Sequence, residues 1–201
     1  MQTVVIGAMV VLIMVLWLVY TGGTSQLVSV QSSLTGETFL VRDLPDQAQA
    51  ADLLARVAIR LNTVVKQLQV RYPTDQRVKR LARRFDSSNI REANGDRRYT
   101  SYSFNKGQQI SLCIRQGNNK DQHHPLIDLN TVIFVALHEL SHIMTVSNGH
   151  TDEFWNNFKF LLEFADQSGS YVYHPYHQIP KQYCGTMITD TPYKKRGASP
   201  L

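Results

Sequence analysis

The sequence predicts an α+β domain that follows an N-terminal membrane-spanning helix. Apolar residues recur at intervals of three and four between Gln47 and Arg71, which is the period of an amphipathic helix. Ile110, Leu112 and Ile114 instead alternate with polar residues, which is the period of a strand. The chain has 201 residues, of which 43% are hydrophobic and 18% charged, and this composition suits one globular domain with appendages.

Residues 3–20 form an apolar run without a charged side chain. At about 1.5 Å per residue, a helix of this length nearly spans a hydrocarbon core of roughly 30 Å, and Trp17 and Tyr20 fall where an interfacial aromatic belt would place them. A cleaved signal peptide is the alternative, but residues 1–20 contain no Lys or Arg. We therefore predict an uncleaved single-pass anchor over residues 1–22 that contacts the membrane through residues 3–20. The uncharged flanks leave its orientation open.

The segment after the anchor is predicted to contain a linker and then two helices. Residues 23–45 begin rich in Gly, Ser, Thr and Gln and are predicted to be a linker, with a short strand at residues 27–30. The amphipathic helix over Gln47–Arg71 ends at Pro73, and a short basic helix follows over residues 74–85.

The second half of the chain is expected to combine a hairpin with two helices. A turn sequence of Asn, Lys and Gly separates two β-prone arms at residues 99–104 and 109–115. A helix that begins near residues 128–130 is apolar on all sides in its first half, so it is expected to run through a core. Gly149 breaks this helix, and a second one covers residues 151–167. The remaining chain is predicted to be irregular.

The pattern HExxH occurs at residues 138–142, inside the apolar helix. Residues four apart share one helix face, so His138 and His142 are expected to direct both imidazoles at one ion, and Zn²⁺ accepts such ligands at about 2.0–2.1 Å. Glu139 can reach a zinc-bound water without binding the metal. We predict that it is the general base when this water attacks a carbonyl.

A catalytic zinc site needs a third protein ligand and one open position. His150 directly follows a glycine, where the chain can reverse and return beside the HExxH helix, and it is the predicted third ligand. Glu153 and Glu163 remain alternatives for this role. Asp152 or Asp166 could instead orient a ligand imidazole through its second nitrogen.

The same stretch resembles zincin-type metallopeptidases of the WLM and SprT-like groups, in which a third histidine follows HExxH at the start of a helix. The residues that carry this resemblance are His138, Glu139, His142, His150, Phe154 and Trp155. Over residues 95–190 the chain is also similar to membrane-anchored WLM-like proteins of large DNA viruses and some algae. The spacer before His150 is longer than in typical WLM proteins and nearer the looser SprT-like arrangement.

We predict a zincin-like metallopeptidase domain over residues 46–190, with a basic helical part at 46–92 and a catalytic core at 93–190 that contains the resemblance. The resemblance implies Zn²⁺ as the cofactor, a protein or peptide as the substrate, and a location at a host-cell or virion membrane. Zincins place a strand along the cleft that binds extended peptide, and residues 109–115 are the candidate. They often supply a Tyr or His that stabilises the oxyanion, and Tyr173 and His174 are the candidates.

Two other functions also fit the sequence. One is a non-catalytic, membrane-tethered binding or virion structural protein with a zincin-like fold. The other is a protease directed at nucleic-acid-bound proteins, since WLM and SprT-like relatives include proteases that act on proteins attached to DNA. The net charge is +5, and a basic cluster could contact phosphates of nucleic acid or of lipid head groups. Its members are Arg77, Lys79, Arg80, Arg83 and Arg84.

The two cysteines and the C-terminus carry weaker signals. Cys113 and Cys184 could pair, but neither lies in a CxxC pattern, and free thiols in a reducing compartment fit at least as well. Residues 191–201 are predicted to be a loose basic tail.

Overall fold

The structure, a computed structural model, describes residues 27–94, 100–116 and 125–195. The predicted anchor at residues 3–20 lies outside these ranges. Within them, no helix combines the length and the apolar character that a bilayer crossing requires.

The described chain alternates helices with short strands, and the predicted α+β class is confirmed. The four α-helices are α1 (Gln47–Arg71), α2 (Gln76–Arg84), α3 (Leu129–Met144) and α4 (Asp152–Gln167). The seven strands are β1 (Leu27–Gln31), β2 (Thr38–Arg42), β3 (Ile90–Glu92), β4 (Tyr102–Phe104), β5 (Gln109–Leu112), β6 (Lys181–Tyr183) and β7 (Thr186–Ile188).

The helices build the core around α3, which packs against α1, α2 and α4. Helix α1 has the predicted bounds because its apolar stripe persists over 25 residues and Pro73 prevents a further turn. The Asp128 carboxylate caps α3 by accepting hydrogen bonds from the Thr131 amide at 3.0 Å and the Thr131 hydroxyl at 2.8 Å. Since α3 contacts neighbours on several sides, its apolar first half is buried, as predicted.

A three-stranded sheet in the order β3-β5-β4 lies beside α3. The antiparallel pair β4 and β5 is the predicted hairpin. Strand β3 was not predicted, because three residues are too few to show a recognisable alternation of apolar and polar side chains. It forms by pairing in parallel with β5. Strand β5 therefore has a neighbour on both sides, and β4 lies at the edge of the sheet.

The N-terminal hairpin of β1 and β2 packs on α1 and β3. Phe39 and Val41 point from β2 into the core. The Asp52 carboxylate on α1 holds the turn by accepting hydrogen bonds from the Ser32 hydroxyl at 2.7 Å and the Ser33 amide at 2.8 Å. This part of the predicted linker at 23–45 therefore belongs to the folded unit.

The chain after α4 is more regular than expected. Strands β6 and β7 form an antiparallel hairpin whose two-residue loop, Cys184 and Gly185, has positive φ at both positions (48° and 79°). This is the backbone of a tight hairpin turn. Farther on, Thr191 and Tyr193 are buried. The Tyr193 hydroxyl donates to Asp166 at 3.0 Å, so the predicted loose tail begins later than residue 191.

Candidate metal centre

Helix α3 presents the first two histidines on one face. The ring centroids of His138 and His142 lie 5.0 Å apart, as the spacing of four residues requires. Both rings are partly exposed, whereas only 3% of the surface of Glu139 is exposed. The helix period therefore directs the two imidazoles into a cleft and holds the carboxylate against its wall.

His150 returns to this face from the start of the next helix. Its Nε2 lies 3.1 Å from Nε2 of His138, and its ring centroid lies 5.0 Å from that of each of the other two histidines. One ligand nitrogen from each of the three residues can be chosen so that all lie within 4.8 Å of one another. The predicted third ligand therefore joins the first two.

The loop that carries His150 is fixed by Glu153. This carboxylate accepts hydrogen bonds from the Val146 amide at 2.9 Å and the Ser147 amide at 3.1 Å. Those amides hold the pKa of Glu153 below its usual value. Gly149 supplies the turn with a φ of +79°, a conformation that L side chains rarely adopt. Glu153 therefore holds the loop in place. Both of its oxygens accept hydrogen bonds from the loop, so it does not serve as the third metal ligand, the role for which it was an alternative to His150.

Two cations secure the end of α3. The Arg80 guanidinium donates to the Met144 carbonyl at 2.7 Å. The Lys106 ammonium donates to the carbonyls of Thr145 at 3.1 Å and Ser147 at 2.8 Å. The last carbonyls of a helix have no partners within it and carry partial negative charge, so these contacts stabilise both the helix end and the spacer before His150.

Burial keeps two of the histidines neutral. It lowers the pKa of His138 to about 3, with smaller contributions from the neighbouring His142 and His150. It lowers the pKa of His142 to about 4, again with help from His150 and from the Lys106 ammonium. Phe154 packs against all three rings, with centroid distances of 4.8, 4.4 and 4.7 Å. Neutral imidazoles have the lone pairs that a metal ion needs.

The Glu139 carboxyl has the opposite shift. Burial raises its pKa to about 7, and the backbone and side chain of Ser103 on β4 oppose this shift. Its Oε2 atom is buried and finds no hydrogen-bond partner within the described residues. A carboxyl that can gain or lose a proton near neutral pH therefore lines the same cleft as the histidines.

These residues fit a zinc ion. Tetrahedral ligands at about 2.0–2.1 Å lie roughly 3.4 Å from one another, and the Nε2 atoms of His138 and His150 are 3.1 Å apart. The three nitrogen donors sit at a cleft, so a fourth position can face solvent and substrate. No carboxylate joins the three histidines as a ligand group in the described part of the chain.

The cleft extends to both sides of the histidines. A cavity of about 370 Å³ reaches β4 and the turn that follows it, including Ser103 and Lys106. A cavity of about 650 Å³ extends the other way, towards Trp155 and the β6–β7 hairpin. The strand that borders the site is β4. Residues 109–115 were the predicted peptide-binding strand, but β5 is the central strand, and both its edges already pair within the sheet.

The two predicted oxyanion residues lie elsewhere. The Tyr173 ring packs on Tyr193 with centroids 5.4 Å apart, and Nε2 of His174 is hydrogen-bonded to the Ile179 carbonyl at 2.7 Å. Neither lines the cleft around Glu139.

Besides Tyr102 on β4, Tyr183 lines the cleft, and it was not predicted as a site residue. Its hydroxyl donates to the Cys113 carbonyl at 2.8 Å and lies 2.7 Å from the Ser101 hydroxyl. Cys113 and Cys184 form a disulfide, so of the two alternatives that the sequence left open the structure has the paired one. The bond joins the end of β5 to the β6–β7 hairpin. The adjacent Cys-Gly pair was the available signal for this hairpin.

The basic cluster divides into engaged and exposed members. Arg77 contacts Asp75 at 2.7 Å and lies over the Phe160 ring at 4.7 Å, and Arg80 caps α3 as described. Lys79, Arg83 and Arg84 are exposed on α2. The prediction of an anionic partner therefore rests on these three residues.

Comparisons with known proteins return viral relatives. The chain is 29% identical over 165 residues to an uncharacterized protein of Acanthamoeba polyphaga mimivirus, which covers 80% of this chain and 82% of that protein. It is 38% and 39% identical over 84 residues to uncharacterized proteins of Invertebrate iridescent virus 6 and Invertebrate iridescent virus 3. These matches span 42% of this chain and 44% and 48% of the relatives.

No family model matches the chain. Among solved structures, Wss1 from Saccharomyces cerevisiae is similar with a TM-score of 0.48 and 20% identity, over 64% of this chain and 88% of that one.

Proposed function

We propose that this protein is a zinc-dependent metallopeptidase. The observation that carries the proposal is the convergence of His138, His142 and His150 at a cleft in which the buried Glu139 carboxyl also lies. Three histidine nitrogens with no fourth protein ligand in the described part of the chain are typical of catalytic zinc, whereas structural zinc sites are closed by four protein ligands. His138, His142 and His150 would hold the ion.

Bound zinc would lower the pKa of a water molecule towards about 7 and polarise the substrate carbonyl. The chain's own contribution to the chemistry is the carboxyl of Glu139. It takes a proton from the attacking water as the water oxygen bonds to the carbonyl carbon. It then delivers this proton to the amide nitrogen as the C–N bond breaks, which leaves an amine and a carboxylic acid. A pKa near 7 suits a group that must perform both transfers.

A peptide is the substrate class that the surroundings of the site favour. Strand β4 lies at the sheet edge, and Ser101, Tyr102 and Ser103 line the cleft beside the histidines. An extended peptide can add to such an edge through main-chain hydrogen bonds. The cleft on both sides of the histidines gives room for residues before and after the bond that is cut.

The location that we propose is a membrane reached through residues 3–20, with the domain on an oxidising side. The uncharged apolar run supports the anchor. The Cys113–Cys184 disulfide supports the oxidising side, because disulfides persist in such compartments and are rare in reducing ones. Protection of the domain from added protease in sealed vesicles, and its loss on detergent addition, would test this orientation.

We also propose that the protein binds an anionic partner through the exposed side chains of Lys79, Arg83 and Arg84. Changing all three to Ala should weaken salt-dependent binding to DNA if nucleic acid is the partner. Equal binding to anionic vesicles would assign the cluster to lipid head groups instead.

The enzymatic proposal is tested with the full chain and its Glu139→Gln variant, both purified in lipid nanodiscs. Both should bind about one zinc per chain. The wild-type protein should cleave an unfolded protein substrate, and the variant should lose at least about two orders of magnitude in rate. His174→Ala is a control that should retain cleavage. Full activity in Glu139→Gln, or zinc-loaded wild-type protein without any cleavage, would overturn the proposal.

A further inference from the structure

The two sides of the cleft differ in chemistry. On the β4 side, polar groups predominate: Ser101, Ser103, Asn105, Lys106 and Asn148. On the other side, aromatic and aliphatic side chains provide most of the lining, and Thr100, Ser101, Thr186, Asp190 and Thr191 add polar groups. The apolar residues are Phe134, Val135, Trp155, Phe158, Ile188 and Pro192. A peptide laid across the histidines would therefore meet a polar surface on one side of Glu139 and an apolar surface on the other.

The apolar side is a pocket within reach of the site residues. Its cavity of about 650 Å³ is lined by His138, Glu139 and His150 as well as by the apolar residues. Phe134 and Phe158 form the floor, with 5% and 2% of their surface exposed and ring centroids 5.2 Å apart. A volume of this size accommodates any natural side chain together with part of a peptide backbone.

Trp155 forms the rim of this pocket. Its ring centroid lies 5.6 Å from that of His150, and 43% of its surface is exposed. Burying an exposed aromatic surface against a ligand is favourable, so the rim gives a binding contribution that a small or charged ligand side chain cannot obtain.

We propose that this pocket, lined by Phe134, Val135, Trp155, Phe158 and Ile188, selects peptide substrates with a large apolar or aromatic side chain next to the bond that is cut. The inference rests on the proposed peptidase function and names its substrate preference. Small side chains leave the apolar lining unfilled, and acidic side chains lose their hydration and meet the Asp190 carboxylate, so both bind this pocket less well.

The hairpin offers a matched pair of positions for a test. Alternation along β7 places Thr186 and Ile188 in the pocket lining, whereas Met187 between them does not line it and is 51% exposed. A bulky side chain at position 186 fills the pocket from its wall. The same side chain at position 187 leaves the pocket open.

The test measures binding separately from cleavage. Zinc-loaded Glu139→Gln full-length protein in nanodiscs is titrated with fluorescent Gly-Ser peptides that contain one Phe, one Ala or one Glu. We expect the Phe peptide to bind at least about tenfold more tightly than the other two. Thr186→Trp in the same background should reduce this ratio to about twofold or less, and Met187→Trp should keep it. If Thr186→Trp does not fold, Trp155→Ala replaces it, with the equally exposed Ile179→Ala as control.

Equal binding of the three peptides, or the same loss in both hairpin variants, would overturn the inference. Wild-type protein should also cleave the Phe peptide beside its Phe residue. Cleavage without any Phe preference would contradict the proposed role of the pocket and would still support the peptidase function. Phe-selective binding without cleavage by wild-type protein would keep the pocket and overturn the peptidase function.

Discussion

At the scale of single residues, the site depends on groups that hold the histidines as much as on the histidines themselves. His138 and His142 are fixed by one helix, but His150 reaches them across a loop whose amides are clamped by Glu153. Partners of this kind commonly alter metal affinity by about 10–100-fold.

Replacing Glu153 by Ala should therefore weaken zinc binding by about tenfold or more, because the loop gains freedom that zinc binding must then remove. Competition with a chelator of known affinity measures the change. Glu163→Ala, at an exposed position of the same helix, is the matched control and should bind zinc like the wild type. If Glu153→Ala also retains wild-type affinity, the clamp has no role in the site.

The low pKa values of His138 and His142 predict how the metal-free protein responds to acid. Their folded pKa values are about 3 and about 4, against the usual 6.5 in an unfolded chain. As the pH falls below about 6.5, the unfolded chain takes up protons that the folded chain does not, so stability falls with decreasing pH. Between pH 7 and pH 5 these two histidines should lower the free energy of unfolding by roughly 2–4 kcal/mol, and the raised pKa of Glu139 should offset roughly 2 kcal/mol of this loss, because the folded chain takes up a proton there that the unfolded chain does not.

Urea denaturation of chelator-treated protein at several pH values measures this slope. The His138→Gln, His142→Gln double variant should lack the histidine contribution and should lose no stability on acidification over the same range. Identical slopes for the variant and the wild type would show that these two histidines are not buried in the neutral form.

At the scale of elements, the disulfide ties the β6–β7 hairpin to the end of β5 and so holds one wall of the cleft. It closes a segment of 71 residues. A cross-link over such a separation typically stabilises a protein by about 2–4 kcal/mol.

The Cys113→Ser, Cys184→Ser variant should accordingly lose about 2–4 kcal/mol of unfolding free energy and should no longer respond to reductant. Denaturation of wild-type and variant protein with and without dithiothreitol measures both effects. An unchanged wild-type stability after complete reduction would show that other contacts are sufficient to hold the hairpin.

The elements also show which features a sequence can predict. Helix α1 was predicted with its correct bounds because its period repeats over 25 residues and a proline follows. The HExxH spacing and the glycine before His150 were sufficient to predict that these three histidines lie together. Strand β3 could not be found in this way, since it exists only by pairing with β5 across nearly twenty intervening residues. Tyr183 could not be predicted as a site residue either, because the contacts that bring it to the cleft exist only in the tertiary fold.

At the scale of the whole molecule, a buried ion pair joins the N-terminal hairpin, the sheet and α1. The Arg115 guanidinium donates to the Glu92 carboxylate at 2.7 Å and also contacts Asp46, the residue before α1. The other oxygen of Glu92 accepts a hydrogen bond from the Arg42 amide of β2 at 2.8 Å. Residue Glu92 thus links elements that are distant in sequence.

Glu92→Gln should destabilise the fold by about 1.5–3 kcal/mol, because it weakens the buried charge-assisted hydrogen bond to Arg115 while Asp46 still pairs with that guanidinium. Lys195→Ala is the control. It removes an ion pair with Asp166 in which half of the lysine side chain is exposed, and it should cost about 1 kcal/mol or less. Thermal denaturation of both variants measures the contrast. Equal effects of the two substitutions would contradict a structural role for the buried pair.

The metal centre that we propose is one zinc ion held by three histidines, with a position left open for water and substrate. X-ray absorption spectroscopy of the zinc-loaded full-length protein tests this coordination. We expect three imidazole nitrogens at about 2.0–2.1 Å and one oxygen from solvent, and in His150→Ala the loss of one imidazole. A zinc ion with four protein ligands, or an unchanged spectrum in His150→Ala, would contradict the account.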